Sequence, residues 1–389
     1  MSKQFTTRSR AGHQFSLQLL MQGAVLALIL YLAYSVLQNT QLNLEARGID
    51  SGFEFLNREA GLPIGDSLIH YEPTDSYSWA FITAVVNTLF VASLAIFFAT
   101  VIGVLVGVAR VSSNWLVNKL AAVYVETLRN IPLLLTLIFI YVVVLSSLPN
   151  TRNSWQLTES ILLNVRGIYF PKPMPMEGFS LVMIAFVLAL ALCWVFSRWA
   201  RGYFARTGRE LAVIRISLLM LIALPGLVYL LMGQPLDWQV AQLKGFNYVG
   251  GLSFRPEFMA LLVGLVLYTA AFIAENVRSG IQSVAVGQIE AAQALGIAPA
   301  KIMSRVTLPQ ALRVMIPATT NDFTSLVKNS SLAVAIGYPD MVSVGGTIIG
   351  QNGQAIEIIG MWMAVYMAIN LIISALMNWL NARVQVIER

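Results

Sequence analysis

Eight long apolar stretches constrain this chain before anything else does. They fall at roughly 17–37, 79–109, 119–148, 179–197, 211–232, 257–277, 312–337 and 355–380. A helix needs about 20 apolar residues to cross a hydrocarbon layer, where only helices and closed barrels satisfy their own backbone. The sequence therefore predicts an all-α integral membrane protein with about eight transmembrane helices. With 57% of residues hydrophobic and 11% charged, a soluble domain is excluded. The first stretch is longer than a signal-peptide core and no small-x-small cleavage site follows it, so it reads as a retained anchor.

Charge orients the spans. Alternating them from a cytoplasmic start puts most of the 25 lysines and arginines on the inner side, in the basic tail (Lys3, Arg8, Arg10), at Arg110 and Lys119, from Arg198 to Arg215, from Arg278 to Arg313, and at Arg383 and Arg389. The outer side holds Arg47, Arg58, Arg152, Arg166, Lys172, Lys244 and Arg255, while Arg129 and Lys328 lie within spans. This is the positive-inside pattern, and it places both termini and the 287–313 loop in the cytoplasm. The net charge of +6 thus needs no nucleic-acid partner. The single cysteine, Cys193, and the two histidines, His13 and His70, offer no disulfide and no metal site.

Between the sixth and seventh stretches lies GQIEAAQALGIAPAKIMSRVTLPQALR, residues 287–313. Ile289–Leu295 reads as a short helix with alanines at 291, 292 and 294, and with Glu290 in its first turn, where a carboxylate suits the helix dipole. Gly296 permits a backbone turn that other residues resist. Pro299 opens a second short helix, which Pro309 is expected to end. A compact helix–turn–helix with a small-residue face suits docking into a groove on another protein. Its spacing resembles the EAA loop of ABC-importer permeases, EAA-x3-G-x9-I-x-LP, with Val306 in place of Ile. The resemblance implies that Glu290, Ala291, Ala292, Gly296, Leu308 and Pro309 couple the chain to a cytoplasmic ATPase.

Two spans carry charge where charge is expensive. In the third, Glu126 and Arg129 are three apart and share a helix face on which they can pair, and Pro132 should kink the helix. The segment Glu126-x-x-Arg129-Asn130-x-Pro132 resembles that of polar amino-acid permeases. In the seventh, Asn321, Asp322, Ser325, Lys328, Asn329, Ser330 and Ser331 are polar, and Asn321, Ser325 and Lys328–Asn329 share one face. LVKNSSLA resembles the element that follows the EAA loop in the same family. The implied substrate path is Arg129, Asn130, Asp322, Lys328, Asn329, Ser330 and Ser331, with Lys328 against a substrate carboxylate. Helix–helix polar packing is the competing reading, and Asp322 is expected to neutralise a base of another subunit. Gly103 and Gly107 form a G-x-x-x-G, a hint of dimer packing.

None of the six lysines is followed by Ser or Thr, so a G-x4-GK[ST] phosphate loop is absent. The resemblance, carried by 79–148 and 257–381, implies a type I ABC-importer permease core of five helices plus three additional spans. Residues 1–78 would be the tail, anchor and acidic external loop, and 79–148 the first part of the core. Residues 149–256 would be inserted external loops and a transmembrane hairpin, and 257–389 the second part of the core. The acidic 38–78 loop reads as a small ordered cap or amphipathic stretch at the outer surface, with a solvated loop favoured over any specific role. Pro171–Pro175 reads as a rigid extended element, and the charge-poor hairpin 179–232 as peripheral. The family further implies an L-amino-acid substrate, a second permease subunit, an ATPase dimer that holds ATP and Mg, and an external solute-binding protein. The alternative is a secondary amino-acid transporter driven by an ion gradient, which explains Asp322 and Lys328 but leaves the EAA spacing a coincidence.

Overall fold

The computed structural model describes residues 5–46, 48, 52–65, 67–208 and 211–384. Lys3, Arg47, Asp50, Asp66, Arg209 and Arg389 lie outside the described residues, as do the side chains of Arg8, Arg10, His13 and Glu45. In chain order the helices are α1 (Phe5–Ala46), α2 (Tyr77–Arg110), α3 (Trp115–Asn130), α4 (Leu133–Ile138), α5 (Phe179–Thr207) and α6 (Val213–Leu231). Then follow α7 (Pro256–Gln282), α8 (Val286–Ala294), α9 (Pro299–Ile302), α10 (Leu308–Asn329), α11 (Met341–Asn352) and α12 (Ala355–Val384). Among the described residues, 6 helices are long and apolar enough to cross a membrane, or up to 8 if each of two broken pairs is one span.

The broken pairs revise two expectations. The third stretch is not one helix: α3 stops at Asn130, Ile131 is extended, and α4 restarts at Leu133. Pro132 lacks the N–H and crowds the preceding turn, so it breaks the helix rather than kinking it. The seventh stretch leads from α10 through a 3-10 turn (Ser330–Ile336) to Gly337 at φ 78°, and α11 then departs at 54°. Helix α11 went unforeseen because its glycines dilute the apolar pattern.

The chain forms two compact units, residues 1–136 with 261–389, and residues 137–260. In the first, α2 and α7 approach closely because Gly103 and Gly107 present no side chain. A Cβ at Gly103 would stand 2.7 Å from Ile273 Cβ, and one at Gly107 2.5 Å from Val277 Cβ. The G-x-x-x-G thus serves packing within the chain, which replaces the dimer expectation. Asn87 and Thr88, both buried on α2, hold the α10–α11 connection. Asn87 Nδ2 donates to Pro339 O at 3.0 Å, and Thr88 Oγ1 accepts from Met341 N at 2.9 Å. Asp340 caps α11 by accepting from Ser343 N at 2.8 Å.

The 38–78 segment is not a solvated loop but holds an ordered cap. Helix α1 runs on to Ala46, and Phe55, Ala60 and Leu62 are buried with Ala80, Ala84, Val344, Ile348 and Ile358 in one apolar cluster. The buried carboxylate of Glu357 accepts the Gly52 N–H at 2.8 Å. Glu357→Ala should leave that amide unpaired, cost about 1–3 kcal/mol locally, and speed hydrogen exchange across residues 52–64. Unchanged exchange there would mean that the apolar cluster alone holds the cap.

The second unit adds short strands to the helical chain. Strands β1 (Trp155–Thr158), β2 (Ile161–Asn164), β3 (Gly167–Phe170) and β8 (Leu252–Phe254) form an antiparallel sheet in that order. Strand β4 (Lys172–Pro175), the proline-rich stretch, pairs with β5 (Leu236–Gln239), and β6 (Gln242–Lys244) pairs with β7 (Asn247–Val249). Prolines at 173 and 175 fit β4 because it lies at an edge. Helices α5 and α6 pack as a hairpin, with Cys193 Sγ donating to Ser217 O at 3.3 Å.

Candidate functional site: the docking loop and the polar cluster

The loop predicted to dock folds as helix, turn, helix. Helix α8 ends at Ala294 with Leu295 as its C-cap, and Gly296 turns the chain at φ +70°, a conformation that a side chain resists. Pro299 opens α9, a π-helical turn (Met303–Thr307) follows, and α10 begins at Leu308. Two details differ from expectation. Glu290 lies past the first turn of α8, and Pro309 sits in the first turn of α10 rather than ending a helix. The missing N–H of Pro309 costs nothing at that position. Gln310 Nε2 donates to Gln288 Oε1 at 2.5 Å and to Val306 O at 3.0 Å, which ties α8 to the start of α10.

The alanine face divides. Ala292 is buried, whereas Glu290, Ala291, Ala294 and Gly296 are exposed. Beside them Val286 and Leu295 expose 67% and 79% of their surfaces, the most open apolar groups of the loop. Leu308 is exposed and Pro309 half-buried at the other end of the motif. The result is an exposed surface of small and apolar groups with one carboxylate, Glu290, and two amides, Gln288 and Gln293.

The predicted path residues separate into three settings. Asp322 and Asn329 line a cavity of about 280 Å³ with Tyr268, Thr269, Phe272 and Ser325. Asp322 Oδ2 accepts from Asn276 Nδ2 at 2.6 Å, a partner on its own chain. Asn321, Ser325 and Lys328 form an exposed stripe on α10. Among the described residues no carboxylate pairs with Lys328. Ser330 is fully buried and donates to Val327 O at 2.7 Å, and Ser331 donates to Lys328 O at 2.7 Å. Both hydroxyls therefore serve the backbone of the 3-10 turn. Asn130 is exposed at the end of α3.

Arg129 does not pair with Glu126. Its Nη1 lies 3.9 Å from Glu275 Oε2, and its guanidinium sits 5.2 Å from the Phe272 ring centre. Glu275 also faces Arg110 Nη1 at 3.7 Å, and Arg278, three residues on, which donates Nη2 to Oε1 at 2.5 Å and Nε to Oε2 at 3.1 Å. One carboxylate thus gathers arginines from α2, α3 and α7. The sequence reading missed Glu275 because it fell at the end of an apolar stretch. The signal was there: a carboxylate at membrane depth with an arginine three residues later. Glu275→Gln should leave the three guanidinium groups without a counter-charge and lower stability by roughly 1–3 kcal/mol. The measurement is the thermal midpoint of the purified protein; an unchanged midpoint would show that the arginines need no common partner.

A chain with this many apolar helices and an exposed helix–turn–helix loop between two of them is a multi-span membrane component. Residues 99–386 match the model of the family described as binding-protein-dependent transport system inner membrane component. The chain belongs to this family, and so is a multi-pass inner-membrane permease subunit of an ABC transport system, not the gradient-driven carrier weighed as the alternative. It is 46% identical to the general L-amino acid transport system permease protein AapQ of Rhizobium johnstonii, over 91% of this chain and 88% of the relative. It is also 46% identical to the putative amino-acid ABC transporter permease protein YhdX of Escherichia coli K12, over 90% of each. A solved structure, that of an amino acid ABC transporter with histidines, is similar at 20% identity and a TM-score of 0.46, over 79% of this chain and 95% of that chain. Family members work in general with a partner permease, an ATPase and a binding protein.

Proposed function

We propose that this chain is one of two permease subunits of an ATP-driven importer of L-amino acids, and that residues 286–309 carry the stroke of a cytoplasmic ATPase dimer to the spans. The observation that carries the coupling role is the exposed face of α8, held by the Gly296 turn and tied through Gln310 to the base of α10. The substrate class follows from the likeness to AapQ and YhdX over nearly the whole chain. ATP and Mg are held by the partner ATPase, and an external binding protein delivers the substrate. The positive-inside charge pattern supports cytoplasmic termini.

The polar stripe Asn321, Ser325 and Lys328 supports the path. Polar groups facing lipid are costly, so such a stripe faces water or a second subunit. Lys328 is the cation best placed to meet a substrate carboxylate, and Asp322 and Asn329 line the cavity beside it. ATP binding closes the ATPase dimer, and the docked loops follow. Because α10 rises from the loop, its movement re-aims the stripe. ATP and loaded binding protein shift the equilibrium only by their preference for the outward state.

Lys328→Ala should lower substrate turnover by about tenfold or more without loss of assembly, the scale of one charge-assisted hydrogen bond. Unaltered uptake kinetics would return Lys328 to helix packing. The reading as a whole is tested in intact cells by collapsing the proton gradient with ATP held constant. Uptake should continue under the protonophore and stop with vanadate; the reverse pattern would sink the importer reading.

A further inference from the structure

The α5–α6 hairpin carries its charge at one end. Between Phe179 and Leu231 the sequence holds the arginines Arg198, Arg201, Arg206, Arg209 and Arg215, no lysine, and a single carboxylate, Glu210. Arg209 and Glu210 lie outside the described residues. The other four arginines are exposed, and among the described residues none of them pairs with a carboxylate. From Phe179 to Ser197 the helix rises about 28 Å at about 1.5 Å per residue, close to the thickness of a hydrocarbon core. Arg198 and Arg201 therefore stand where lipid headgroups begin. The start of α6 reaches a similar depth, because Cys193 Sγ donates to Ser217 O at 3.3 Å and Arg215 lies just before that contact.

Two of the guanidinium groups are held in place. That of Arg198 lies 4.3 Å from the Trp194 ring centre. Arg201 donates its Nε to Ser197 O at 3.3 Å, which leaves its two terminal amino groups to donate elsewhere. At about 100° per residue Trp194, Arg198 and Arg201 fall within about 60° of one another on α5. They lie away from the side marked by Cys193 and by buried Ala185, Ala189 and Ala200. Helix residues three apart have their Cβ atoms about 5–6 Å apart, so both forks can reach one phosphate. Trp194 and Trp199 are exposed, and Trp199 stacks on Tyr203 at 5.4 Å. Indole and phenol rings at this depth are the mark of a helix end seated among headgroups. Orientation alone is served by lysine as well as arginine, whereas two fixed forks beside an indole suit the oxygens of a phosphate better than a point charge does. A soluble protein would have to cover rings that stand at headgroup depth, where the bilayer already lies.

We propose that this end of the α5–α6 hairpin is a binding surface for an acidic phospholipid of the inner leaflet, whose phosphate lies on Arg198 and Arg201 beside the Trp194 ring. Arg206 and Arg215 add positive field around the clamp. The proposal uses the orientation of the spans given by the charge pattern, and neither the coupling role nor the substrate class.

The test reconstitutes the whole importer in phosphatidylcholine vesicles with a trace of phosphatidylglycerol bearing a diazirine near its phosphate, and maps labelled peptides by mass spectrometry. Label is expected on peptides spanning 192–206 and 213–219. Excess phosphatidylglycerol should suppress it at least about tenfold, while phosphatidylethanolamine at the same fraction and glycerol 3-phosphate in solution should not. Joint Arg198→Gln and Arg201→Gln should lower this labelling on the order of thirtyfold, the scale of two charges at a lipid surface. The joint Arg198→Lys and Arg201→Lys variant keeps the charge, and with it the orientation of the hairpin, and should retain more label than the glutamine pair. Joint Lys119→Gln and Arg383→Gln removes the same charge from other helix ends on the inner side and should leave hairpin labelling as in the wild type. Absence of label on the hairpin, displacement by glycerol 3-phosphate or equally by phosphatidylethanolamine, full labelling of the glutamine pair, a lysine pair no better than the glutamine pair, or an equal loss in the Lys119 and Arg383 variant would each overturn the proposal. None of these readouts depends on ATP-driven uptake, so failure here leaves the importer reading intact.

Discussion

Glu290→Lys is expected to abolish ATP-driven uptake while the protein remains folded in the membrane. Glu290 is exposed on α8 beside Ala291, Val286 and Leu295, so a lysine fits without disturbing the fold. What changes is the sign of the one charged group exposed on α8. Loss of one partner of a charge pair that becomes buried on docking costs about 2–5 kcal/mol, enough to lower ATPase occupancy well over tenfold at limiting concentration. Gly296→Val should act through geometry instead. Its Cβ would meet nothing within 4 Å, but at φ +70° a β-branched residue is strained, and α8 would re-aim relative to α9. Both variants should reach the membrane at wild-type levels and show ATP hydrolysis no longer stimulated by substrate. Normal transport by both would remove the coupling role from 286–309.

The second large effect concerns stability. Gly107→Ala should destabilise the protein, although alanine favours helices by about 1 kcal/mol over glycine. The added Cβ would lie 2.5 Å from Val277 Cβ and 2.8 Å from the Ala274 carbonyl oxygen, and backbone cannot swing aside as a flexible side chain does. Overpacking of this kind costs about 1–3 kcal/mol, which outweighs the propensity gain. Gly346→Ala is the matched contrast, because a Cβ there meets nothing within 4 Å and the change should be neutral or stabilising. Thermal melting of the detergent-solubilised chain, followed by size-exclusion chromatography, reads both. If the two variants melted alike, the close α2–α7 approach would not be what holds these helices.

What was legible in the sequence was what depends on local pattern. Apolar length placed the long helices, because a span-length run has few other destinies. Gly296 and Pro299 marked their turn and helix start by backbone chemistry alone, and the EAA spacing marked the loop. What depends on contacts between distant residues was not legible. Strand β3 pairs with β8 across the whole α5–α6 hairpin, and each strand is only three or four residues long, too short for alternation to show. The packing partners of the cap were not legible, because Phe55 and Leu62 are scattered among acidic residues and find their apolar partners on α2, α11 and α12. Arg129 was assigned to Glu126 by helical spacing, yet Glu275 on another helix takes it. The backbone bonds that Ser330 and Ser331 make in the 3-10 turn were not legible either, because the pattern gave no sign that the helix tightens there.

The most direct test of coupling is to purify the chain from its native membrane in mild detergent and ask whether an ATP-hydrolysing subunit comes with it. The account predicts that a vanadate-sensitive ATPase co-purifies with the wild-type chain and is lost from Glu290→Lys under the same conditions. A chain that emerges alone and without ATP hydrolysis, or an ATPase held equally well by Glu290→Lys, would contradict it.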